Sequence, residues 1–129
     1  EIPVGAILIK QNTIIAQAHN QSILNNDPTA HAEIQLLRKA GDQQKNYRLT
    51  GSTLYVTLEP CTMCFGAMIH ARIERIVFGA FDAKTGVCGS CINLNEKNFF
   101  NHKISITGGI LEKQSSELLR LFFKSKRDK

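Results

Sequence analysis

The sequence lacks any long hydrophobic run. Its longest uninterrupted apolar stretch, residues 4–9, is far shorter than the roughly 20 residues that a membrane-spanning helix needs. It also lacks the charged start, apolar core and small-residue cleavage site of a secretory signal. With 43% hydrophobic and 21% charged residues, the composition excludes a disordered, collagen-like or coiled-coil chain. These absences predict a cytoplasmic protein with no membrane segment.

Nothing in the sequence divides the chain. It has 129 residues, the size of one compact domain, and no internal repeat, low-complexity tract or linker. We therefore expect a single domain over residues 1–129. Negative charge is in the minority, because 16 Lys and Arg against 11 Asp and Glu give a net charge of +5. This excess suits a polyanionic partner such as nucleic acid, although it also serves solubility.

Cysteine is scarce, and its spacing is regular. The four cysteines form two C-x-x-C pairs, Cys61 with Cys64 and Cys88 with Cys91. Because the chain shows no export signal, this spacing favours metal binding or redox chemistry over a disulfide framework.

Hydrophobic patterning predicts strands that alternate with helices. The predicted strands cover residues 2–9 and 14–18, joined as a hairpin by the polar residues 10–13, and residues 53–58, 75–80 and 104–106. The predicted helices cover about residues 28–40, 60–71 and 113–126. The first of them starts after the capping residue Asp27 and stops at Gly41. This alternation indicates an α/β layer architecture.

A histidine, a glutamate and two cysteines stand at the starts of two predicted helices. His31 and Glu33 occupy the first turn of one helix, and Cys61 and Cys64 open the next. One imidazole and two thiolates suit tetrahedral zinc with its fourth position open to water, which is typical of catalytic zinc. Cys61 and Cys64 share one helix face, where the positive end of the helix dipole favours thiolates.

Glu33 has a different predicted role from His31. Residues two apart on a helix point in nearly opposite directions, so a metal bound by His31 must lie off the N-terminal end of the helix. Glu33 then stays outside the coordination sphere and can act as the general acid/base for the attacking water. Glu59 is a weaker candidate for proton transfer, because a carboxylate just before a helix also has a capping use.

The pattern H-x-E followed by P-C-x-x-C resembles that of the zinc-dependent nucleoside and base deaminases. That motif alone also fits cytidine, guanine and deoxycytidylate deaminases. Flanking segments narrow the resemblance to the bacterial tRNA-specific adenosine deaminases, over nearly the whole chain. These segments are residues 1–6, 27–33, 46–49, 53–61, 66–70 and 82–86.

The resemblance implies a three-layer α/β/α, cytidine-deaminase-like fold with a central mixed five-stranded sheet. It implies a homodimer, with the helix around residues 70–72 in contact, that hydrolyses the wobble adenosine of an arginine tRNA to inosine and ammonia. By position, Glu33 moves protons, and one Zn²⁺ per chain is held by His31, Cys61 and Cys64.

The same resemblance places RNA near three polar residues. Asn20 matches the residue that hydrogen-bonds the base, although asparagine is also an ordinary turn residue. Asp82 and Lys84 lie in a loop, residues 82–86, that approaches RNA in the family. The basic end of the last predicted helix, residues 123–127, matches a second such region, for which a solvated cationic face is the alternative. Family members carry a further helix ahead of residue 1, so we expect a shortened chain here.

Two other functions stay open. The four cysteines could form a Cys₄ structural zinc module that only binds nucleic acid. However, 23 residues separate the two pairs, more than the usual spacing of roughly 15 to 20, and His31 and Glu33 would have no role. Alternatively, the enzyme could deaminate a free base or nucleoside such as guanine or cytidine, against which the basic charge argues mildly. We expect Cys88 and Cys91 to be free thiols with no part in catalysis.

Overall fold

The computed structural model describes residues 3–97 and 100–111, and its centre is a mixed sheet with the strand order β2-β1-β3-β4-β5. β1 is antiparallel to both β2 and β3, whereas β3, β4 and β5 run parallel to one another. The strands are β1 (Gly5–Lys10), β2 (Thr13–His19), β3 (Ser52–Leu58), β4 (Arg75–Ala80) and β5 (Ser105–Thr107). This confirms the predicted α/β class and the mixed five-stranded sheet.

Two helices cover one face of this sheet. α1 (Ala32–Gln44) joins β2 to β3, and α2 (Thr62–His70) joins β3 to β4. Leu36 of α1 and Phe65 of α2 are fully buried, in one apolar cluster with alternate residues of the three central strands. Burying each such side chain stabilises the fold by about 1.5–3 kcal/mol. The core therefore fixes both helices against the same face.

The topology brings three loops to one edge of the sheet. β2 and β3 point the same way, because each is antiparallel to β1, and β4 is parallel to β3. The carboxyl ends of all three strands therefore lie at one edge, where ligands commonly bind in α/β sheets. α1 and α2 begin at this edge, and the loop after β4 starts there.

The hairpin turn is tighter than the sequence predicts. The polar residues Lys10 and Thr13 pair with each other in the ladder, so that only Gln11 and Asn12 form the turn. Both turn residues have positive φ, 51° and 61°, as a two-residue type I′ turn requires. The predicted four-residue connection is therefore wrong, because the ladder extends to the turn itself.

The bounds of α1 also differ from the prediction. Asp27 caps a separate turn, since its Oδ1 accepts hydrogen bonds from Thr29 N at 2.9 Å and from Thr29 Oγ1 at 2.7 Å. The helix consequently begins four residues after the predicted start at residue 28. It also continues through Gly41 to Gln44 and is followed by the C-cap residue Lys45, whose φ of 53° is left-handed. Glycine is tolerated inside a helix at about 1 kcal/mol relative to alanine.

Some predictions fall outside the described residues. The helix predicted over residues 113–126, on which a third layer depends, and the basic residues 123–127 are among them. No helix within residues 3–97 and 100–111 has the length and apolar character needed to cross a membrane.

Candidate active site

The site begins at the N-terminal ends of the two helices. His31 is the N-cap residue of α1, and Cys61 is the N-cap residue of α2, with Cys64 in the first turn behind it. Both N-cap residues have extended backbone, and neither side chain caps its own helix. The imidazole and the two sulfurs are therefore available for each other at the shared edge of the sheet. His31 stands just before the helix rather than in its first turn, which brings it off the helix end as the ligand role requires.

The distances among these three side chains fit a zinc ion. His31 Nδ1 lies 3.6 Å from Cys61 Sγ and 3.5 Å from Cys64 Sγ, and all three ligand atoms lie within 4.8 Å of one another. Zinc binds imidazole nitrogen at ~2.0–2.1 Å and thiolate sulfur at ~2.3 Å, which in tetrahedral geometry separates the two ligand atoms by about 3.6 Å. These residues could therefore hold zinc with little movement.

The two sulfurs share a proton unequally. A hydrogen bond from the Cys64 thiol and the nearby His31 together lower the pKa of Cys61 to about 5. The same hydrogen bond, together with burial, raises the pKa of Cys64. The pair thus carries one ready thiolate, the form of cysteine that binds metal. Binding of a cation by both sulfurs requires the loss of the second proton.

Glu33 is a buried acid beside this cluster. It is the second residue of α1, and only 4% of it is exposed. Burial and, to a smaller extent, the negative charge of Cys61 raise the pKa of its carboxyl group to about 7. A carboxyl group with this pKa exchanges its proton readily at neutral pH, which is the property expected of a general acid/base.

A cleft of about 310 Å³ opens over these residues. Its lining comes from the loops at the carboxyl edge of the sheet and includes two of the candidate zinc ligands, His31 and Cys61, while Cys64 is buried behind them. The lining residues with polar side chains are Asn20, Ser22, His31, Glu33, Glu59, Cys61, Asp82 and Thr85. The volume lies at the lower end of the range for small-molecule sites.

The three predicted substrate contacts are placed differently. Asn20 lines the cleft, and its Oδ1 accepts a hydrogen bond from Val4 N at 3.4 Å. Asp82 also lines the cleft, but its carboxylate accepts hydrogen bonds from Lys84 N at 3.0 Å and Thr85 Oγ1 at 2.8 Å. Although burial opposes it, these bonds hold the pKa of Asp82 below its usual value. Lys84 is exposed on this turn, outside the cleft wall.

The second cysteine pair does not join the site. Among the described residues, which include all four cysteines, His31, Cys61 and Cys64 form the one group of three or more close metal-ligating side chains. Burial raises the pKa of Cys88 to about 12, and Cys91 Sγ donates to Ala83 O at 3.0 Å. The Cys₄ module is therefore wrong, because the folding of α1 brings His31 to the Cys61 pair instead.

Sequence reasoning missed the contacts of Glu59. This residue does not cap α2; both of its carboxylate oxygens accept hydrogen bonds from the loop after β4, residues 82–90. The donors are backbone N–H groups and one hydroxyl. Their directions depend on the conformation of a loop for which the sequence gives no periodic signal. The one available signal was an acid placed beside a proline at the start of a predicted helix.

Comparison with known proteins agrees with the fold and the site. Residues 1–80 match the family model of the cytidine and deoxycytidylate deaminase zinc-binding region. That range contains α1, α2 and all three candidate ligands. The fold and the site thus define a zinc-dependent deaminase.

Individual relatives narrow this class. The tRNA-specific adenosine deaminase of Haemophilus influenzae is 50% identical over 99% of this chain and 75% of its own length. That of Buchnera aphidicola subsp. Baizongia pistaciae is 55% identical over 98% of this chain and 78% of its own. A structure solved in a study of A-to-I editing by tRNA:A34 deaminases matches with a TM-score of 0.87 and 40% identity, over 90% of this chain and 84% of the other. The chain belongs to the tRNA-specific adenosine deaminases.

Proposed function

We propose that this protein hydrolytically deaminates the wobble adenosine of tRNA to inosine and releases ammonia. The observation that carries the proposal is the buried Glu33 beside the cluster of His31, Cys61 and Cys64, at an open cleft that Glu33, His31 and Cys61 line. The names of the relatives support the choice of substrate, because those enzymes are 50% and 55% identical to this chain over nearly its whole length.

His31, Cys61 and Cys64 would hold the zinc ion. Their donor set and their separations fit tetrahedral zinc. When bound, zinc supplies the Lewis acidity that makes water a nucleophile near neutral pH. The thiolate of Cys61 is already formed at that pH, given its lowered pKa of about 5.

Glu33 carries the protons of the reaction. It accepts a proton from the attacking water and passes it to a ring nitrogen, which makes C6 of adenine more electrophilic. It then takes the remaining proton from the hydroxyl group added at C6 and delivers it to the exocyclic amine, so that the bond from C6 to nitrogen breaks, C6 becomes a carbonyl carbon and ammonia leaves. Its pKa of about 7 suits both directions of transfer, because neither form of the carboxyl group is rare at neutral pH.

The substrate contacts follow from the cleft. We assign Asn20 to hydrogen bonding of the base. Its side chain lines the cleft, and the hydrogen bond that its Oδ1 accepts from Val4 N holds that side chain in place. Asp82 orders the turn that flanks the cleft mouth. Lys84, exposed on the same turn, suits a contact with the RNA backbone rather than with the base.

A second copy of the chain and a particular tRNA complete the proposal. Ile34 and Leu37 of α1 and Ala67 of α2 border an open, largely apolar groove of about 540 Å³. This groove supports a homodimer, because a second copy would remove it from water. We propose arginine tRNA as the substrate and the cytoplasm, where bacterial tRNA is found, as the site of action.

The test is a comparison of substrates. Zinc-loaded protein is incubated with an anticodon stem-loop of arginine tRNA that carries adenosine at the wobble position. Parallel reactions contain free adenosine, cytidine or guanine, and ammonia and inosine are measured. We expect turnover of the stem-loop and none of the free compounds. Turnover of a free compound alone would replace the proposed substrate, and the absence of any turnover would contradict the enzymatic role.

A further inference from the structure

Glu59 is a buried carboxylate whose partners are neutral. Only 3% of the residue is exposed. Among the described residues, the one ion pair joins Arg38 to Asp27, so no cation pairs with Glu59. A buried acid without a cation needs several hydrogen bonds to replace its hydration.

Four hydrogen bonds from one loop meet this need. Oε1 accepts from Asp82 N at 3.0 Å and also from Ser90 Oγ. Oε2 accepts from Cys88 N at 2.9 Å and from Ser90 N at 3.0 Å. Hydrogen bonds to an ionised acceptor are about twice as strong as neutral ones. The carboxylate thus binds residues near both ends of the 82–90 loop.

The loop is shaped to receive this side chain. A Cβ on Gly86 would fall well inside van der Waals distance of Glu59 Cδ and 2.5 Å from Asp82 O. Glycine is therefore required here by close approach, not by its backbone angles. A further hydrogen bond joins the same two segments, because Val87 N donates to Pro60 O at 3.0 Å.

The hydrogen bonds of Glu59 and Pro60 connect the segment that carries Cys61 to the loop that forms one wall of the cleft. Glu59 stands two residues before the ligand Cys61, and it shares the cleft wall with Asp82 and Thr85. Asp82 in turn holds Thr85 through its own carboxylate. The position of one wall of the cleft is thus set by a side chain of the segment that carries a candidate metal ligand.

We propose that Glu59 is a positioning residue that fixes residues 82–90 relative to the metal centre so that the cleft accepts RNA in a productive orientation. This proposal takes its substrate, RNA, from the proposed function. Glu59 takes no part in proton transfer, because both of its oxygens are occupied as acceptors. Its loss is therefore expected to weaken substrate binding more than the chemical step.

The decisive variant is Glu59→Gln, which keeps the shape but sets an NH₂ group against N–H donors. Zinc content should stay near one ion per chain and the pH profile of kcat should keep its form. KM for the anticodon stem-loop should rise about tenfold or more, since hydrogen bonds to charged groups are lost. Glu74→Gln makes the same chemical change at an exposed site and is the matched control.

Two variants approach the contact from the loop. Gly86→Ala pushes a Cβ into the carboxylate, and Ser90→Ala removes one donor. Both should raise KM in the same way, with Ser90→Ala the milder. They also decide the question if Glu59→Gln fails to fold. A fall in kcat at constant KM with loss of one limb of the pH profile, or loss of zinc, would overturn the proposal.

Hydrogen exchange gives a readout that needs no substrate. The amides of Cys88 and Ser90 should exchange at least tenfold faster in zinc-loaded Glu59→Gln than in the wild type or in Glu74→Gln. Unchanged exchange rates would show that the carboxylate of Glu59 does not hold residues 82–90 in place. If the wild type fails to deaminate the stem-loop, the proposed function is wrong, whereas the exchange rates still decide whether Glu59 holds the loop.

Discussion

His31 Nδ1 lies 3.5 Å from Cys64 Sγ although 33 positions separate the two residues in the chain. The contact exists because α1 and α2 begin at the same edge of the sheet. That edge is shared since the strands before the two helices, β2 and β3, point the same way. The order and direction of the strands thus bring the candidate metal ligands together, and each ligand lies within the first turn of a helix or just before it.

The candidate ligands should separate from the other cysteines in a metal assay. Cys61→Ser and His31→Ala should each lower the zinc content at least tenfold, because two protein ligands hold zinc far less tightly than three. Cys88→Ser is the matched control, since its thiol lies outside the ligand group. Elemental analysis of the purified proteins gives the result, and loss of zinc from Cys88→Ser would refute the assignment.

Removal of the proposed proton carrier should spare the metal. Glu33→Gln is expected to keep one zinc per chain and to lower kcat by about 10²–10⁴-fold, the usual contribution of a general acid/base. Steady-state kinetics on the stem-loop and a parallel zinc measurement provide the check. A zinc-loaded variant with full turnover would show that another group moves the protons.

The same substitution should stabilise the metal-free protein in a pH-dependent manner. The folded pKa of Glu33, about 7, lies above its unfolded value of 4.5, so the folded state binds more protons and ionisation destabilises it. This destabilisation is absent below pH 4.5 and complete above pH 7. Urea unfolding should therefore show no gain for Glu33→Gln near pH 4.5 and a gain of up to about 3 kcal/mol at pH 8. A gain that is equal at both pH values would contradict the burial of a charge.

Two glycines should respond in opposite directions to the same change. Gly41 lies inside α1, and a Cβ added there would have its nearest contact, Asn46 O, at an ordinary 3.6 Å, so Gly41→Ala should stabilise the fold by about 0.5–1 kcal/mol. A Cβ on Gly108 would fall well inside contact distance of the Phe78 ring, so Gly108→Ala should destabilise it by about 1–3 kcal/mol. Denaturant unfolding measures both effects. A stabilising Gly108→Ala would mean that the ring moves aside freely.

The sequence predicts most of the frame, since apolar patterning is a property of local residues. The bounds of β4 are as predicted, and the bounds of α2 agree within two residues. The predicted start of α1 is wrong because Asp27 accepts a hydrogen bond from the N–H of Thr29 instead of capping the helix. Local propensity gives no reason to prefer one of these uses of aspartate over the other.

The candidate site is also predicted only in part from the sequence. Ligand spacing predicts His31 and the Cys61 pair because metal chemistry restricts the residue types. It does not predict the four hydrogen bonds of Glu59, three of which come from main-chain N–H groups. Every non-proline residue carries such a donor, so its residue type says nothing about where it points.

Hydrolysis at the wobble position is tested most directly in water enriched in ¹⁸O. The zinc-loaded protein is incubated with the anticodon stem-loop, the RNA is digested to short fragments, and their masses locate inosine and its isotope. The proposed reaction predicts one ¹⁸O atom in each inosine, inosine only at the wobble position, and one ammonia released per inosine. Inosine at another adenosine, or ammonia release without ¹⁸O in the RNA, would contradict it.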